Sequence, residues 1–446
     1  MLTVLAVIIA ILLISILIGT PVAFALGFTT IASIVLFMNP SQVSQISRIA
    51  YEQGISINQV VVPLFILMAE FLAKGNVAAD IFTVLNKYLH KIKGGLAISA
   101  TLGCSIFAAL CGSSPATAAA IGRVSIAQMV ARGYRQEFAA GVVAAAGTLG
   151  IMIPPSIPFV MYGIITENSI AKLLIAGILP GLMLSAMLCI FIMIRVKLNP
   201  KLIEQGLAAA EQKAAAEAAN PKIDDISGRT TVYQDFKLII PPAILILLVL
   251  GSLYTGWATP TESAGIGGIG ALMIVLLLRR FSKPLLTDVL TATARTSTMI
   301  LFLVIFGMSL SYAVGYLGLA QDIADLIVGI GINKYVVIVL LYGLWYIMGC
   351  LMDPGSMVIL TIPFIYPTLI ALGFDPIWLG VVSTLCVEIG MITPPVGFNL
   401  FIIKSSCDIP MQKVIVGALP FVILLTLALA ILTVFPEIAT YLPSKM

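Results

Sequence analysis

The residues best suited to chemistry in this chain are oxygen-bearing residues beside glycine and proline. Three hydroxyl groups, those of Ser113, Ser114 and Thr117, lie in one short stretch. Pro154 and Pro155 follow a glycine-rich run, and because proline has no N–H, carbonyl oxygens four residues earlier stay free. Such oxygens suit a hard cation such as Na+. A first cation site is therefore predicted from Ser113, Ser114, Gly147, Thr148, Gly150 and Pro154.

A similar set of residues occurs in the second half of the chain. Its turn contains an acid, Asp353, and its second stretch ends in another proline pair. The second cation site is predicted from Asp353, Gly355, Ser356, Gly390, Met391, Thr393 and Pro394. Contact with the substrate is predicted for Thr117, Pro155, Glu388, Pro395 and Asn399.

Glu388 stands in an otherwise apolar stretch. A charged side chain at the centre of a bilayer costs about 2.5–3.5 kcal/mol on insertion scales. The position therefore favours a role beside the substrate or a cation over that of a neutral packing residue. A plainer interpretation of the glycine and proline residues is that they only kink helices, while serine and threonine satisfy backbone groups.

The two sets of residues belong to an internal repeat. Four short matches recur in the same order, at an offset of 239 or 240 residues. They are Thr20-Pro21 with Thr259-Pro260, Cys111–Pro115 with Cys350–Pro354, Gly150–Pro155 with Gly390–Pro395, and Gly177–Pro180 with Gly417–Pro420. Because glycine and proline are common in this sequence, a single match would be weak evidence. The internal repeat is inferred from the shared order and the nearly constant spacing of all four matches.

The composition is that of a membrane protein. Of 446 residues, 60% are hydrophobic and 10% are charged, against about 25% charged in soluble domains. Leu2–Gly19 is predicted to be a retained helix rather than a cleaved signal sequence, since no small-residue cleavage site follows. One histidine and six scattered cysteines exclude most zinc and acid–base chemistry, and a net charge of +4 does not indicate nucleic-acid binding.

The predicted fold is an all-α polytopic membrane protein with two inverted-topology repeats. The stretches 95–130 and 335–371 are too long for one crossing and contain central turn residues, so each is interpreted as a re-entrant hairpin. Each repeat then has about five crossings, its hairpin and one discontinuous helix. Because the number of crossings is odd, the second repeat is inverted relative to the first.

The predicted boundaries follow hydropathy and these breaks. The first repeat (1–196) comprises scaffold helices 2–19, 21–38 and 57–74 within 1–75, an interfacial arm 76–93, a hairpin 95–130, a broken helix 137–168 and a closing helix 171–196. A cytoplasmic linker, 197–236, contains a short helix at Ala208–Ala219. The second repeat (237–436) comprises scaffold helices 237–255, 259–280 and 296–317, an arm 320–333, a hairpin 335–371, a broken helix 377–405 and a closing helix 413–435, before a tail at 437–446.

The distribution of basic residues gives the orientation. Cytoplasmic segments hold most lysine and arginine residues in membrane proteins. If the linker is cytoplasmic, 20 of the 24 lysine and arginine residues lie on the cytoplasmic side of the membrane. The four that lie on the other side are Arg48, Lys172, Lys334 and Lys445. Both chain ends, and the tail, are therefore predicted to be periplasmic.

Gly112–Gly122 (GSSPATAAAIG), Ala258–Ala264 (ATPTESA) and Ile362–Phe401, with its GMITPPVG, resemble signatures of one transporter family. The family is that of the large membrane (M) subunit of TRAP (tripartite ATP-independent periplasmic) transporters, and the resemblance covers almost the whole chain. It implies sodium-driven import of an organic acid, such as a C4-dicarboxylate or sialic acid, by an elevator mechanism with scaffold and transport domains. The family's sodium sites would fall on the two hairpin-and-break pairs, with Na+ as coupling ion and no other cofactor.

The resemblance also implies partners in the bacterial inner membrane and the periplasm. A small four-helix membrane (Q) subunit is expected as a separate chain, since no such block precedes Met1. A periplasmic substrate-binding (P) protein would deliver the substrate. The lipid bilayer is the remaining partner.

Three other functions are open on the sequence. A stand-alone sodium/dicarboxylate symporter of the same architecture would need no binding protein. An intramembrane enzyme would need a metal set or a Ser–His pair, which one histidine makes hard to build. A passive channel would not need cation sites.

Overall fold

A computed structural model describes residues 2–203, 232–319, 321, 322, 325 and 333–446. These residues form helices and short connections, without a strand among them. Within them, eight helices are long and apolar enough to cross a membrane, or nine if one bent pair counts as a single span. The all-α polytopic membrane fold is thereby confirmed. The predicted helix Ala208–Ala219 and most of the arm 320–333 lie outside the described residues.

The first half contains twelve described helices, several of which begin or end at proline or glycine residues. They are α1 (Leu2–Leu17), α2 (Val22–Phe37), α3 (Ser44–Ile55), α4 (Val61–Lys74), α5 (Val77–Leu89), α6 (Gly95–Cys111), α7 (Ser114–Ala131), α8 (Gln136–Gly147), α9 (Leu149–Met152), α10 (Ile157–Thr166), α11 (Ile170–Ala176) and α12 (Ile178–Leu198).

The second half follows the same order in its described part. Its helices are α13 (Val232–Tyr254), α14 (Pro260–Leu277), α15 (Lys283–Tyr316), α16 (Lys334–Leu351), α17 (Pro354–Ala371), α18 (Pro376–Met391), α19 (Phe398–Cys407), α20 (Met411–Val434) and α21 (Glu437–Thr440). Short 3-10 turns occur at Pro40–Val43, Ile57–Val60 and Pro443–Lys445.

One unpredicted helix and two shifted boundaries distinguish the structure from the predicted organisation. Helix α3 was not predicted, because its polar sequence has no buried residue to give an apolar stripe. Helix α15 begins at Lys283 rather than at 296, since Ser282 caps its start and the polar segment that follows continues the helix. The second half starts before 237, because α13 begins at Val232 and buries Asp235.

Two helical hairpins form where turn residues interrupt the long stretches. Hairpin 1 is α6 and α7, joined by Gly112 and Ser113, and hairpin 2 is α16 and α17, joined by Met352 and Asp353. In hairpin 2 the indole of Trp345 donates to the hydroxyl of Thr361 at 3.1 Å. These two residues stand eight before and eight after Asp353, so the helices run antiparallel.

The arm helix α5 is tied to the second half by two ion pairs. Arg280 donates to both carboxylate oxygens of Asp80, at 2.5 and 2.9 Å, and to the carbonyl of Gly75 at 2.7 Å. Near the other end of α5, Lys87 pairs with the buried Asp235 at 2.5 Å. These pairs fix α5 against α13 and the end of α14.

A candidate cation and substrate site at the helix breaks

The tip of hairpin 1 is shaped by a glycine and a capping serine. Gly112 ends α6 with a left-handed φ of +64°, a conformation that glycine adopts without steric cost. Ser113 starts α7, and its hydroxyl accepts a hydrogen bond from the N–H of Ala116 at 3.5 Å. A Cβ on Gly112 would lie 2.6 Å from the carbonyl oxygen of Pro155. The tip therefore contacts the first proline pair directly.

Break 1, residues 148–156, lies between α8 and α10 and includes the short helix α9. The two parts of the span, Gln136–Met152 and Ile157–Thr166, meet at an angle of 40°, the Pro154–Pro155 bond is cis, and Ser156 caps α10. A Cβ on Gly150 would lie 2.6 Å from the carbonyl oxygen of Ser113 and 2.7 Å from Cα of Ser114. Only a glycine lets the hairpin tip approach the break this closely.

Most residues of the first predicted cation site are brought together. Ser113, Ser114 and Gly150 touch, and the Ser114 hydroxyl donates to the Gly147 carbonyl at 2.9 Å. The Thr148 hydroxyl instead donates to the carbonyl of Ala145 in its own helix, at 2.6 Å. Pro154 is buried beside this contact. The assignment of these residues to a cation stays a prediction.

Hairpin 2 repeats this design with a carboxylate at its tip. Asp353 caps α17, accepting from the N–H of Ser356 at 3.0 Å and from the Ser356 hydroxyl. Gly355 follows, half-buried, with the sulfur of Met161 on α10 at 3.0 Å from the position of a Cβ. The N–H of Gly397 donates to the Cys350 carbonyl at 3.1 Å. Hairpin 2 is thus held against the second break.

Break 2, residues 392–397, lies between α18 and α19 and has a cis Pro394–Pro395 bond. A Cβ on Gly390 would lie 2.6 Å from Cα of Gly349 on α16, so the two helices pack backbone to backbone. Thr393 donates to the Ile389 carbonyl at 2.5 Å. The residues of the second predicted site beside this contact are Met391, which is buried, and Thr393 and Pro394, which are half-buried.

The two halves meet at Ser114. The Ser114 hydroxyl lies 3.0 Å from Oε2 of Glu388, and the side-chain amide of Asn399 donates to it at 2.7 Å. All three side chains are fully buried. The sequence predicts a role for Glu388 beside the substrate or a cation, but it carries no signal for the contact of Glu388 with hairpin 1.

The five predicted substrate contacts differ in exposure. Pro395 is exposed, whereas Thr117, Pro155, Glu388 and Asn399 are buried. Glu388 and Asn399 share the hydrogen-bonded cluster at Ser114, and Pro155 lies at the tip of hairpin 1. The contact of these five residues with a substrate stays a prediction.

Each hairpin also packs against a helix of the other half of the chain. Helix α7 of hairpin 1 packs against α19, which follows break 2, and α17 of hairpin 2 packs against α10, which follows break 1. Paired hairpins and broken helices of this kind define the membrane domain of a secondary transporter. The chain has a similar fold to the YdaH transporter of Alcanivorax borkumensis, with a TM-score of 0.55, 15% identity, and 84% of this chain and 86% of that chain covered.

The sequence comparison gives the family. Residues 9–438 match the model of the DctM component of tripartite ATP-independent periplasmic transporters, and the chain belongs to this family. It is 34% identical to the C4-dicarboxylate TRAP transporter large permease protein DctM of Pseudomonas aeruginosa, with 94% of each chain covered. It is 29% identical to the isethionate TRAP transporter permease protein DctMQ of Oleidesulfovibrio alaskensis, covering 95% of this chain and 64% of that one.

Family membership confirms the predicted resemblance and makes this chain a large permease subunit, a transporter component rather than an enzyme. Large subunits of this family work with a small membrane subunit and a periplasmic binding protein.

Proposed function

We propose that this chain is the large permease subunit of a sodium-coupled importer, which receives an organic acid of the C4-dicarboxylate class from a periplasmic binding protein. The observation that carries the proposal is the contact of each hairpin with a break in its own half, at Gly112 with Pro155 and at Cys350 with Gly397. A helix that opens within the membrane exposes backbone oxygens, which must be buried in protein or face a polar ligand.

The residues present at the breaks fit Na+. Hydroxyl, carbonyl and carboxylate oxygens are the ligands that hard cations prefer. Buried oxygens with no hydrogen-bond partner among the described residues include Glu388 Oε1 and Asn399 Oδ1. Unsatisfied buried acceptors are costly, and a cation would satisfy them. These oxygens lie beside Ser114 and support one sodium ion at hairpin 1. A second sodium ion is proposed at hairpin 2 from the repeat and from the carboxylate of Asp353 at its tip.

The helix starts at the breaks fit an anionic substrate. Helices α7 and α17 begin at the hairpin tips, and α10 and α19 begin directly after the breaks. Helix N-termini carry a partial positive charge that favours carboxylates. Ser113 and Asp353 at the hairpin tips are half-buried, as is Thr393 within break 2, so a small ligand can reach them. The Pseudomonas relative makes a four-carbon dicarboxylate the first substrate to test. A relative from Vibrio cholerae, named as a sialic acid TRAP transporter large permease, makes sialic acid the second.

An elevator cycle is proposed for the movement. Helix α7 of the first half packs against α19 of the second, and α17 of the second half packs against α10 of the first. These contacts group both hairpins and both helices that follow the breaks into one proposed moving unit. This unit would carry the substrate past a scaffold that includes α4, α14 and α15. A small membrane subunit, as a separate chain in the inner membrane, would complete that scaffold.

The test is transport by purified components in proteoliposomes. The chain would be reconstituted with its small subunit and supplied with the binding protein and radiolabelled succinate or sialic acid. We expect uptake to require an inward Na+ gradient and the binding protein together. Uptake without the binding protein would favour a stand-alone symporter, and uptake that ignores the Na+ gradient would favour a passive channel.

A further inference from the structure

The first cation site as predicted from the first half has no ionisable side chain, whereas the second contains the carboxylate of Asp353. By the repeat, Ser114 corresponds to Asp353 at an offset of 239, and Glu388 corresponds to Thr148 at an offset of 240. Hairpin 1 thus has a serine where hairpin 2 has an acid. The acid that lies against Ser114 comes from the other half.

The hydrogen bonds around Ser114 leave acceptors in excess. Its hydroxyl has one hydrogen, yet the Gly147 carbonyl at 2.9 Å and Oε2 of Glu388 at 3.0 Å both need one. The Asn399 amide donates to the same oxygen, which leaves Oδ1 of Asn399 without a partner. Oε1 of Glu388 has no partner either. This fully buried cluster therefore offers oxygens that no group of the described chain satisfies.

A negative charge on Glu388 would have no cationic partner among the described residues. No cationic side chain on a helix packed against α18 pairs with Glu388. Lys172 on α11 and Lys404 on α19 are exposed, Lys413 on α20 donates to Gln136, and Lys334 on α16 lies over the rings of Tyr335 and Phe374. A buried carboxylate without a cationic partner costs several kcal/mol. A cation bound at Ser114 and Gly147 would neutralise it.

We propose that Glu388 and Asn399 are part of the first sodium site, so that this site is built from both halves and gains its one carboxylate from the second. The inference rests on the proposed sodium coupling and assigns these two residues to the cation rather than to the substrate. Each of the two sites then has one carboxylate, Glu388 in the first and Asp353 in the second. Sodium bound at the first site fastens the tip of hairpin 1 to α18 and α19.

The test compares thermal unfolding of the purified protein in NaCl and in choline chloride at equal ionic strength. The variant is Glu388→Gln, which keeps the shape and removes the charge. The matched control is Glu70→Gln, which changes a half-buried acid of α4 that pairs with Lys74 at 3.5 Å.

Without sodium, we expect Glu388→Gln to unfold at the wild-type temperature or above, since the uncompensated charge is gone. With sodium, we expect its half-saturating Na+ concentration for stabilisation to rise about tenfold or more, because a charged ligand is lost. Asn399→Ala should also raise the half-saturating Na+ concentration, but by a smaller factor than Glu388→Gln does. Glu70→Gln should respond to Na+ as the wild type does.

The outcomes separate this inference from the proposed function. A wild-type response to Na+ in both Glu388→Gln and Asn399→Ala would remove these residues from the site and leave sodium coupling intact. A lower unfolding temperature of Glu388→Gln in choline chloride, with unchanged Na+ affinity, would assign Glu388 a structural role instead. A wild-type protein that Na+ does not stabilise beyond choline would overturn both proposals.

Discussion

At the scale of single residues, the candidate site depends on missing side chains as much as on polar ones. Gly150 lets hairpin 1 meet break 1, and Gly390 lets hairpin 2 meet α18, backbone to backbone; no residue with a Cβ could stand at either position without displacing main-chain atoms. The sequence predicted these glycines through their repeat spacing. It could not predict which atoms they approach, because that depends on contacts between separate helices.

The Gly150 contact can be tested by adding one methyl group. In Gly150→Ala the new Cβ would lie 2.6 Å from the Ser113 carbonyl oxygen, so the tip of hairpin 1 must shift. We expect sodium-driven uptake to fall by about tenfold or more, since overpacking costs about 1–3 kcal/mol. Uptake assays in proteoliposomes measure it. Gly251→Ala on α13, where a Cβ meets nothing within 4 Å, is the control and should transport normally.

A second substitution tests the hydroxyl at the tip. Ser114→Ala removes the donor to Gly147 and the acceptor for Asn399. We expect a several-fold higher Na+ concentration for half-maximal uptake, with expression unchanged, because a neutral hydrogen bond contributes about 1 kcal/mol. Unchanged Na+ dependence in Ser114→Ala would show that this hydroxyl is not a ligand.

At the scale of elements, the helices follow local signals where those signals are strong. Capping residues such as Thr259, with Glu262 three residues later, start α14 as a capping box predicts. Helix α3 was missed because its sequence is polar and none of its residues is buried. Helix α15 was predicted too short because hydropathy marks the apolar part of a helix and not the helix itself.

The arm helix α5 provides a prediction at this scale. In Arg280→Ala the half-buried Asp80 loses both hydrogen bonds to the guanidinium. We expect a loss of about 2 kcal/mol in stability, seen as a lower unfolding temperature of the purified protein. Arg48→Ala breaks the exposed pair with Glu52 and should change stability by less than about 1 kcal/mol. Equal effects in the two variants would contradict the tie between α5 and the second half.

At the scale of the whole molecule, the odd number of crossings in each predicted repeat determines the topology. If the second half is inverted, both chain ends lie on one side of the membrane and the central linker on the other. A reporter that fluoresces only in the cytoplasm should be dark when fused after Met446 and bright when inserted within the linker, after Ala219. Fluorescence at both positions would exclude the inverted arrangement.

The sequence by itself determined the class of protein, the repeat and the places where helices break. Those features are local: an apolar run needs about 20 residues to span a bilayer, and glycine and proline interrupt a helix wherever they stand. Only the tertiary structure decided that Ser114 meets Glu388 and Asn399, which lie 274 and 285 residues away in the chain. Packing between the two halves sets that contact, and no periodicity or spacing within either half encodes it.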